Sequence, residues 1–497
     1  MNGSIFFRML TLGGCVVHLP VRSAAAVLFT AVFLFSGPAM AQAPSAPAPS
    51  VPPGFSAVET EALGWLQDLI RINTTNPPGN ELTAAKYIAG VLQKEGISSE
   101  TFESAPGRGF LVARLDAGPL PDPAHALMLM AHLDVVGVDK TKWTVDPFGG
   151  VIQGGYIYGR GAIDDKGMLA ANLAAFVWLK RSGAHLRRDV IFLAEGDEEA
   201  YGGMGMKFAV DQHWDKIACG YALNEGGMAE VQDGKVLYVG IQASEKVPVN
   251  VDVIATGTSG HGSMPRKDNP VVHLSAAIAK IGTYEPPVEL NSITSAYFEG
   301  LAAVEDEDTG KWMRALETPD RGDHAARWLS NANPMWNAML RNTVSPTMLS
   351  AGIRPNVIPP TAKAVMNVRL LPGDLAQPFL ANLQQLVNDP QIQIEAEPDS
   401  VEAAPSSPVD GDLYNTIAGV AKQEFPGAAV VPFMSPGFTD SSYLRMRNVA
   451  AYGLSPFPLE RSDRMRMHAD DERLPVDAFH KGVEFLNAIV TDFAVSQ

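Results

Sequence analysis

The stretch "AEGDEEAYGG", residues 194–203, sets Asp197, Glu198 and Glu199 side by side, after the apolar run "DVIFLA" and before a pair of glycines. Adjacent carboxylates repel one another and resist burial, yet the run before them reads as a core strand. Three other runs lead to similar ends. "LMLMAHLD" ends in His132 and Asp134. The hairpin-like "VIQGGYIYG" leads into "GRGAIDDKG", with Asp164 and Asp165. "YALNEGG" ends in Glu225, and a late group, "MHADDERL", offers His468. One histidine after a strand is ordinarily a packing or capping residue, and one acidic pair is ordinarily a solvated turn. Their recurrence at successive strand ends points to a metal centre. Imidazole and carboxylate without thiolate suit zinc, with cobalt or manganese as substitutes.

The spacing suggests how such a centre works. Residues i and i+2 of an extended segment face the same side, so Asp134 is expected to accept the second ring N–H of His132 and fix its tautomer. A carboxylate shared by two metals holds them about 3.5–4 Å apart with one hydroxide between them. Glu198 and Glu199 point different ways, so one can bind metal while its neighbour stays free as a base. The triplet would tolerate its own repulsion because a dication neutralises part of it.

Elements of alternating type must carry these groups. "AVETEALGWLQDLIRI" and "ELTAAKYIAGVLQKEG" have helical spacing, "GFLVARLD" and "ALMLMAH" read as strands, and "GMLAANLAAFVWLKRSG" reads as a helix closed by glycine. Strands alternating with helices predict an α/β domain with a mostly parallel sheet, and such sheets bind ligands at the carboxyl ends of their strands. The pattern changes near Lys246. "VPVNVDVIA", "NPVVHLSAAIAKIG", "AKAVMNVRLL", "LAQPFLANLQQLVND" and "IQIEAEP" form two strand–helix–strand blocks, which predict an inserted α+β domain of ferredoxin-like type. The expected division is a catalytic domain in two parts, 56–245 and 401–497. The insertion is expected at 246–400 and includes helical patches at about 288–350.

Composition bounds the rest. The chain has 497 residues, 46% of them hydrophobic, enough for a large core and more than one domain. Residues 1–41 carry only Arg8 and Arg22 as charged groups, then the apolar "SAAAVLFTAVFLFSG" and "AMA" ending at Ala41. That order is expected of a secretory signal, with the mature chain starting at Gln42. An uncleaved anchor and a lipoprotein signal at Cys15 are the alternatives. The Pro- and Ala-rich segment 42–55 reads as an extended tether. Cleavage would shift the net charge from −17 to −19, because Arg8 and Arg22 leave with the signal. Nucleic acid and anionic membrane surfaces are thereby disfavoured as partners. Cys219 would be the one remaining cysteine, so an intrachain disulfide is excluded.

"HLDVV", "GRGAIDDKG", "GDEEAYGG", "NEGG", "GTSGHGSMP", "NVIPPTAKAVMNVRLLPG" and "HADDERL" occur in the order found in the co-catalytic di-zinc metallopeptidases. The chain resembles that family from about residue 58 to 490. The family includes aminoacylase, glutamate carboxypeptidase, succinyl-diaminopimelate desuccinylase and yeast carboxypeptidase S, and the carboxypeptidase S branch is the most similar. The resemblance implies two zinc ions bridged by Asp164. His132 and Glu225 would complete one site, and Glu199 and His468 the other. Glu198 would be the general base, and Asp134 would orient His132. The inserted domain would be a dimerising lid whose His261 reaches the partner's site to stabilise an oxyanion. Asn356 and Arg369 would meet the substrate carboxylate, and the turn Gly437–Asp440, with Thr439, would line the pocket. Asn224 departs from the pattern, standing where relatives more often carry Asp before the metal-binding Glu.

The activity so implied is hydrolysis of an amide or peptide bond beside a free carboxylate, in a secreted or periplasmic protein. Carboxypeptidase or dipeptidase action comes first and N-acyl-amino-acid hydrolysis second. The rival from another class is an inactive peptide-binding protein, against which the intact metal set and base argue. Lys166 and Arg160, beside the bridging Asp164, read as structural partners.

Overall fold

Apolar residues in runs of four to eight leave a strand buried on both faces, and a parallel sheet covered by helices is the structure that accommodates them. The computed structural model describes residues 54–118, 122–397 and 403–496. The expected signal, and the tether up to residue 53, lie outside the described residues. A ten-stranded sheet runs in the order Ser99–Ala105, Arg108–Leu115, Val190–Glu195, Leu127–His132, Tyr221–Asn224, Ala450–Gly453, Lys235–Glu245, Met228–Gln232, Pro458–Glu460, and Ala429–Ser435 pairs beside Lys235–Glu245. Its central strands are parallel. Leu127–His132 and Val190–Glu195 are buried along their whole lengths, and their register sets His132 level with Glu195. Tyr221–Asn224 lies on the other side of Leu127–His132. Three neighbouring strands therefore end at one edge, where the polar groups of the sequence begin.

The helix Lys166–Ser182 is buried on nearly every side. It packs against the helices Phe55–Arg71 and Val476–Ala494 and the strand Leu127–His132. An all-round apolar helix is a core helix, and this one fixes the position of Asp164 just ahead of its first turn. Lys166 is wholly buried and donates to the carbonyls of Leu69 (3.0 Å) and Ile72 (2.8 Å), a structural role at the end of the neighbouring helix.

A small sheet closes the chain on itself. Val151–Gln153 and Tyr156–Tyr158 form the expected hairpin, and Arg473–Pro475 pairs antiparallel with Tyr156–Tyr158. The pairing brings residues 468–472 against the loop that holds Asp164.

The segment that follows Glu245 builds a second, four-stranded antiparallel sheet, in the order Thr343–Ala351, Thr361–Leu370, Val247–Thr256, Ile392–Ala396. The helices Pro270–Gly282 and Ala376–Val387 pack on it. The chain order is strand–helix–strand–strand–helix–strand, the ferredoxin-like arrangement. This sheet has its own core, including Val249, Val251, Val253, Leu274, Met366 and Leu383.

The helical patches at 288–350 depart from expectation. Ser292–Leu301, Glu307–Ala315, Gly322–Ala332 and Pro334–Leu340 contribute Ile293, Tyr297, Phe298, Met313, Leu329 and Met339 to the core of the ten-stranded sheet, not to that of the second sheet. Ser292–Leu301 lies against Ala429–Ser435 and Lys235–Glu245. The apolar stripe shows that these helices bury a face. It does not say which of two cores receives it.

Candidate active site

The strand ends gather His132, Asp164, Glu198, Glu199, Glu225 and His468. His132 Nε2 lies 2.9 Å from Asp164 Oδ1 and 4.0 Å from Glu225 Oε1. His468 Nε2 lies 3.0 Å from Asp164 Oδ2 and 3.2 Å from Glu199 Oε2. The two oxygens of Asp164 thus face two different imidazoles, the disposition a bridging carboxylate requires. Glu198 joins His132 and Glu225 in a second group whose ligand atoms all fall within 4.8 Å of one another.

The electrostatics of this cluster call for cations. Burial pushes the Glu198 and Glu225 carboxyls well above their usual range; the charge of Glu225 raises Glu198 further, and that of Asp164 raises Glu225. Burial opposes a charge on His132, yet Asp134, Asp164 and Glu225 hold its imidazolium, so it lies well above the ordinary imidazole value. Hydrogen bonds donated to Asp164 and Glu199 raise His468 to about 10. Protons on two imidazoles stand in for positive charge that the carboxylates demand. Glu199 Oε1 and Asp165 Oδ2 are buried without a hydrogen-bond partner. Unpartnered buried oxygens beside two imidazoles, with no sulfur ligand, fit hard or borderline dications.

The groups around the cluster hold it in place, and one differs from expectation. His132 Nδ1 meets the backbone carbonyl of Asp134 at 2.9 Å, whereas the Asp134 carboxylate stands 3.6 Å away. That carboxylate instead accepts the backbone N–H groups of Glu198 (3.2 Å) and Glu199 (3.3 Å), and the Asn76 amide at 2.8 Å. Alternation along the strand aims Asp134 toward the cluster. The neighbouring loop offers two N–H groups closer than the ring does, so Asp134 shapes the Glu198–Glu199 turn as well as facing His132.

Several supporting residues escaped sequence reasoning. Asp197, the first of the acidic triplet, pairs with Arg108 at 2.5 Å and accepts from Asn76 and from the Met204 N–H. Arg108 also grips the buried Glu81 at 2.8 Å. Glu472, fully buried, accepts the backbone N–H groups of Ile163 (2.8 Å) and Asp164 (3.2 Å) and pairs with Arg160 at 2.7 Å. The loop carrying His468 thereby clasps the loop carrying Asp164. An acid four residues after a histidine gives no sequence signal of such a contact. Asn224, the departure noted above, donates to Ser441 Oγ at 3.1 Å and leaves its own buried Oδ1 unpartnered.

The expected substrate-facing residues divide. Arg369 is half-buried, its Nε donates to Asn367 at 3.0 Å, and its Nη1 is buried without a partner. Burial lowers the pKa of Arg369, and Tyr201 and Glu198 oppose this, so Arg369 stands near the proposed base. Thr439 donates to Glu245 at 2.7 Å, and Gly437 N–H donates to Ser435 Oγ at 3.0 Å, which fixes the turn. His261 and Asn356 are exposed: His261 ends the short strand Gly260–His261, which pairs with Val357–Ile358, and Asn356 lies in the turn just before that partner, where its carbonyl accepts the Gly262 N–H. Among the described residues, no hydrogen bond or ion pair joins either to the cluster within one chain.

Residues 128–492 match the model of peptidase family M20/M25/M40. The probable carboxypeptidase S-like 2 of Dictyostelium discoideum is 29% identical over 388 residues, spanning 74% of this chain and 71% of the relative. The N-fatty-acyl-amino acid synthase/hydrolase PM20D1 of Xenopus tropicalis is 30% identical over 374 residues, spanning 72% and 70%. Among solved structures, the M20 family metallo-carboxypeptidase Sso-CP2 from Sulfolobus solfataricus superposes with a TM-score of 0.65 at 20% identity, covering 87% of this chain and 99% of that one.

Proposed function

Because the chain belongs to peptidase family M20/M25/M40, we propose that it is a metal-dependent hydrolase of amide bonds next to a free carboxylate. The observation that carries this reading is the place of Glu198 in the ligand cluster with His132 and Glu225, near Arg369, whose buried Nη1 has no hydrogen-bond partner. His132, Asp164 and Glu225 would hold one zinc ion, and Asp164, Glu199 and His468 the other. Bound there, the pair of dications supplies Lewis-acid polarisation of the scissile carbonyl and of the attacking water. Glu198 takes the proton from that water and returns it to the leaving nitrogen. Arg369, a planar fork with a free N–H edge, grips the substrate carboxylate.

Carboxypeptidase or dipeptidase action is the first reading. Hydrolysis of N-acyl amino acids is the second, favoured by the 30% identity to a relative named for N-fatty-acyl-amino acids. Both need the carboxylate. Arg369→Ala should cost about 2–5 kcal/mol in kcat/KM, the range for truncating one partner of a buried charge pair. The loss should fall on acids and spare their amides, measured with both substrates in both proteins. An equal loss on the two would remove Arg369 from carboxylate recognition.

The second sheet acts as a lid and dimer surface in this reading. Its edge strand Thr343–Ala351 exposes Met348 (67%) and Leu349 (68%), an apolar edge that pairs readily with another chain. A partner docked there would let His261 serve the neighbouring site as an oxyanion donor. Export is proposed from "AMA" at residues 39–41. N-terminal sequencing of the exported protein should begin at Gln42, and retention of residues 1–35 or a lipidated Cys15 would refute it.

A further inference from the structure

We propose that Tyr201, backed by Phe438, is the aromatic wall of the subsite that takes the side chain of the carboxylate-bearing residue. This wall would make the enzyme select large apolar side chains there. The inference rests on the reading of Arg369 as the carboxylate-binding group.

Tyr201 ends the short turn that carries Glu198 and Glu199, and its N–H donates to the Glu198 carbonyl at 2.8 Å. Its backbone is left-handed, with φ at 67°. A bulky residue is strained in that conformation, whereas glycine takes it freely and asparagine more readily than most. The strain is held by a contact: the Tyr443 hydroxyl donates to the Tyr201 carbonyl at 2.6 Å. Gly202, also left-handed, packs so closely on Asp440 that a Cβ would strike its carboxylate. The loop after the acidic triplet is therefore docked on the pocket turn and aims its tyrosine in one direction.

The ring meets Phe438 edge to face, with centroids 6.0 Å apart and planes at 68°, and Phe438 meets Tyr443 in the same way at 6.0 Å and 85°. Tyr201 remains 37% exposed. Large aromatics this exposed beside a catalytic carboxylate have apolar area left to cover. Tyr201 follows Glu198 and Glu199 on one turn, its ring meets Phe438 of the pocket turn, and Arg369 lies within electrostatic reach of both Tyr201 and Glu198, so the wall stands on the side of the cluster where the substrate's carboxylate is gripped. The side chain on the carbon next to that carboxylate is the substrate part within reach of it.

The test uses the metal-loaded enzyme and N-acetyl derivatives of glycine, alanine, leucine and phenylalanine, with a second series that varies the acyl chain on leucine. Wild type should favour leucine and phenylalanine over glycine by tenfold or more in kcat/KM, on the order expected for burying such side chains. Tyr201→Asn keeps a residue suited to the left-handed backbone. It should reduce that preference to within about threefold, chiefly through KM, and leave the acyl-length series in its wild-type order. Tyr201→Phe should retain the preference, and Phe438→Ala should weaken it from the other side of the wall. A wild type indifferent to side-chain size, or a preference that survives Tyr201→Asn, overturns the inference alone. A change confined to the acyl series would put the wall on the other side of the scissile bond and overturn it as stated. A wild type inactive on every one of these acids and on the dipeptides that carry glycine in place of the acetyl group sinks the functional reading and this inference with it.

Discussion

At the scale of single residues, Glu198 and Glu199 show how neighbours in sequence come to do different work. Both sit on one turn held by Asp134 through their backbone N–H groups. The Glu199 carboxylate turns to His468, while Glu198 stands with His132 and Glu225. Glu198→Gln keeps shape and hydrogen bonding but removes the base. It should lower kcat about 10²–10⁴-fold, the usual span for general base catalysis, with metal content nearly unchanged. Glu199→Gln should release one metal per chain. Elemental analysis beside kcat decides it, and loss of metal from the Glu198 variant alone would reverse the two roles. Asp197, the remaining member of the triplet, needs no metal, because Arg108 neutralises it.

Among the elements, the junction of the two sheets is the informative one. Lys246 is fully buried between them and donates to the carbonyls of Ala338 (3.0 Å) and Arg341 (2.8 Å) and to Thr343 Oγ1 (3.0 Å). Glu245, one residue earlier, accepts from Thr439 of the pocket turn and from Ser442 just beyond it. The crossing point thus ties the helical segment to the lid strand, and the pocket turn to the main sheet. Burial lowers Lys246 to about 7, helped by nearby Arg369 and opposed by Asp374. The ordinary lysine value is about 10.4, so between those limits the unfolded chain holds more protons than the folded one. Stability contributed at this position therefore rises with pH from about 7 to about 10 and is flat and lowest below 7. The unfolding free energy of wild type minus that of Lys246→Met should climb by up to about 1.4 kcal/mol per pH unit in that window. Urea midpoints from pH 6 to pH 10 measure it. A difference independent of pH would mean that Lys246 keeps its proton throughout.

For the molecule as a whole, the proposed reading makes one chain incomplete. His261 is exposed, with no hydrogen bond or ion pair to its own chain's cluster among the described residues, and Met348 and Leu349 of the edge strand Thr343–Ala351 are exposed. Leu349→Lys should yield a folded monomer by light scattering, with activity reduced at least as far as in His261→Ala. Mixing inactive His261→Ala and Glu198→Gln subunits should restore a fraction of activity, because one site of each mixed dimer has both its own base and the partner's histidine. A fully active monomer would overturn the shared site. The ten-stranded sheet, by contrast, needs no partner to bring its ligands together, since the three strand ends and the clasp of Glu472 lie within one chain.

What the sequence determined by itself was local. Two-fold alternation and buried runs located the strands, and histidines and carboxylates at their ends marked the cluster, because a strand end is exposed to ligand wherever the strand pairs. The ordered motifs carried the family, and the two strand–helix–strand blocks carried the second sheet's type. Only the tertiary structure decided what each face meets. Arg473–Pro475 had to pair with Tyr156–Tyr158 before His468 could reach Asp164. The loop N–H groups had to close in before the Asp134 carboxylate, within reach of His132, could also hold the Glu198–Glu199 turn. Arg108 had to cross from its own strand to neutralise Asp197. The helices from Ser292 to Leu340 had to find the main core and not the second sheet's. Periodicity reports that a side chain is buried or aimed. It carries no record of the partner, because that contact is made between residues far apart in the chain and is set by packing and hydrogen-bond geometry in the folded state.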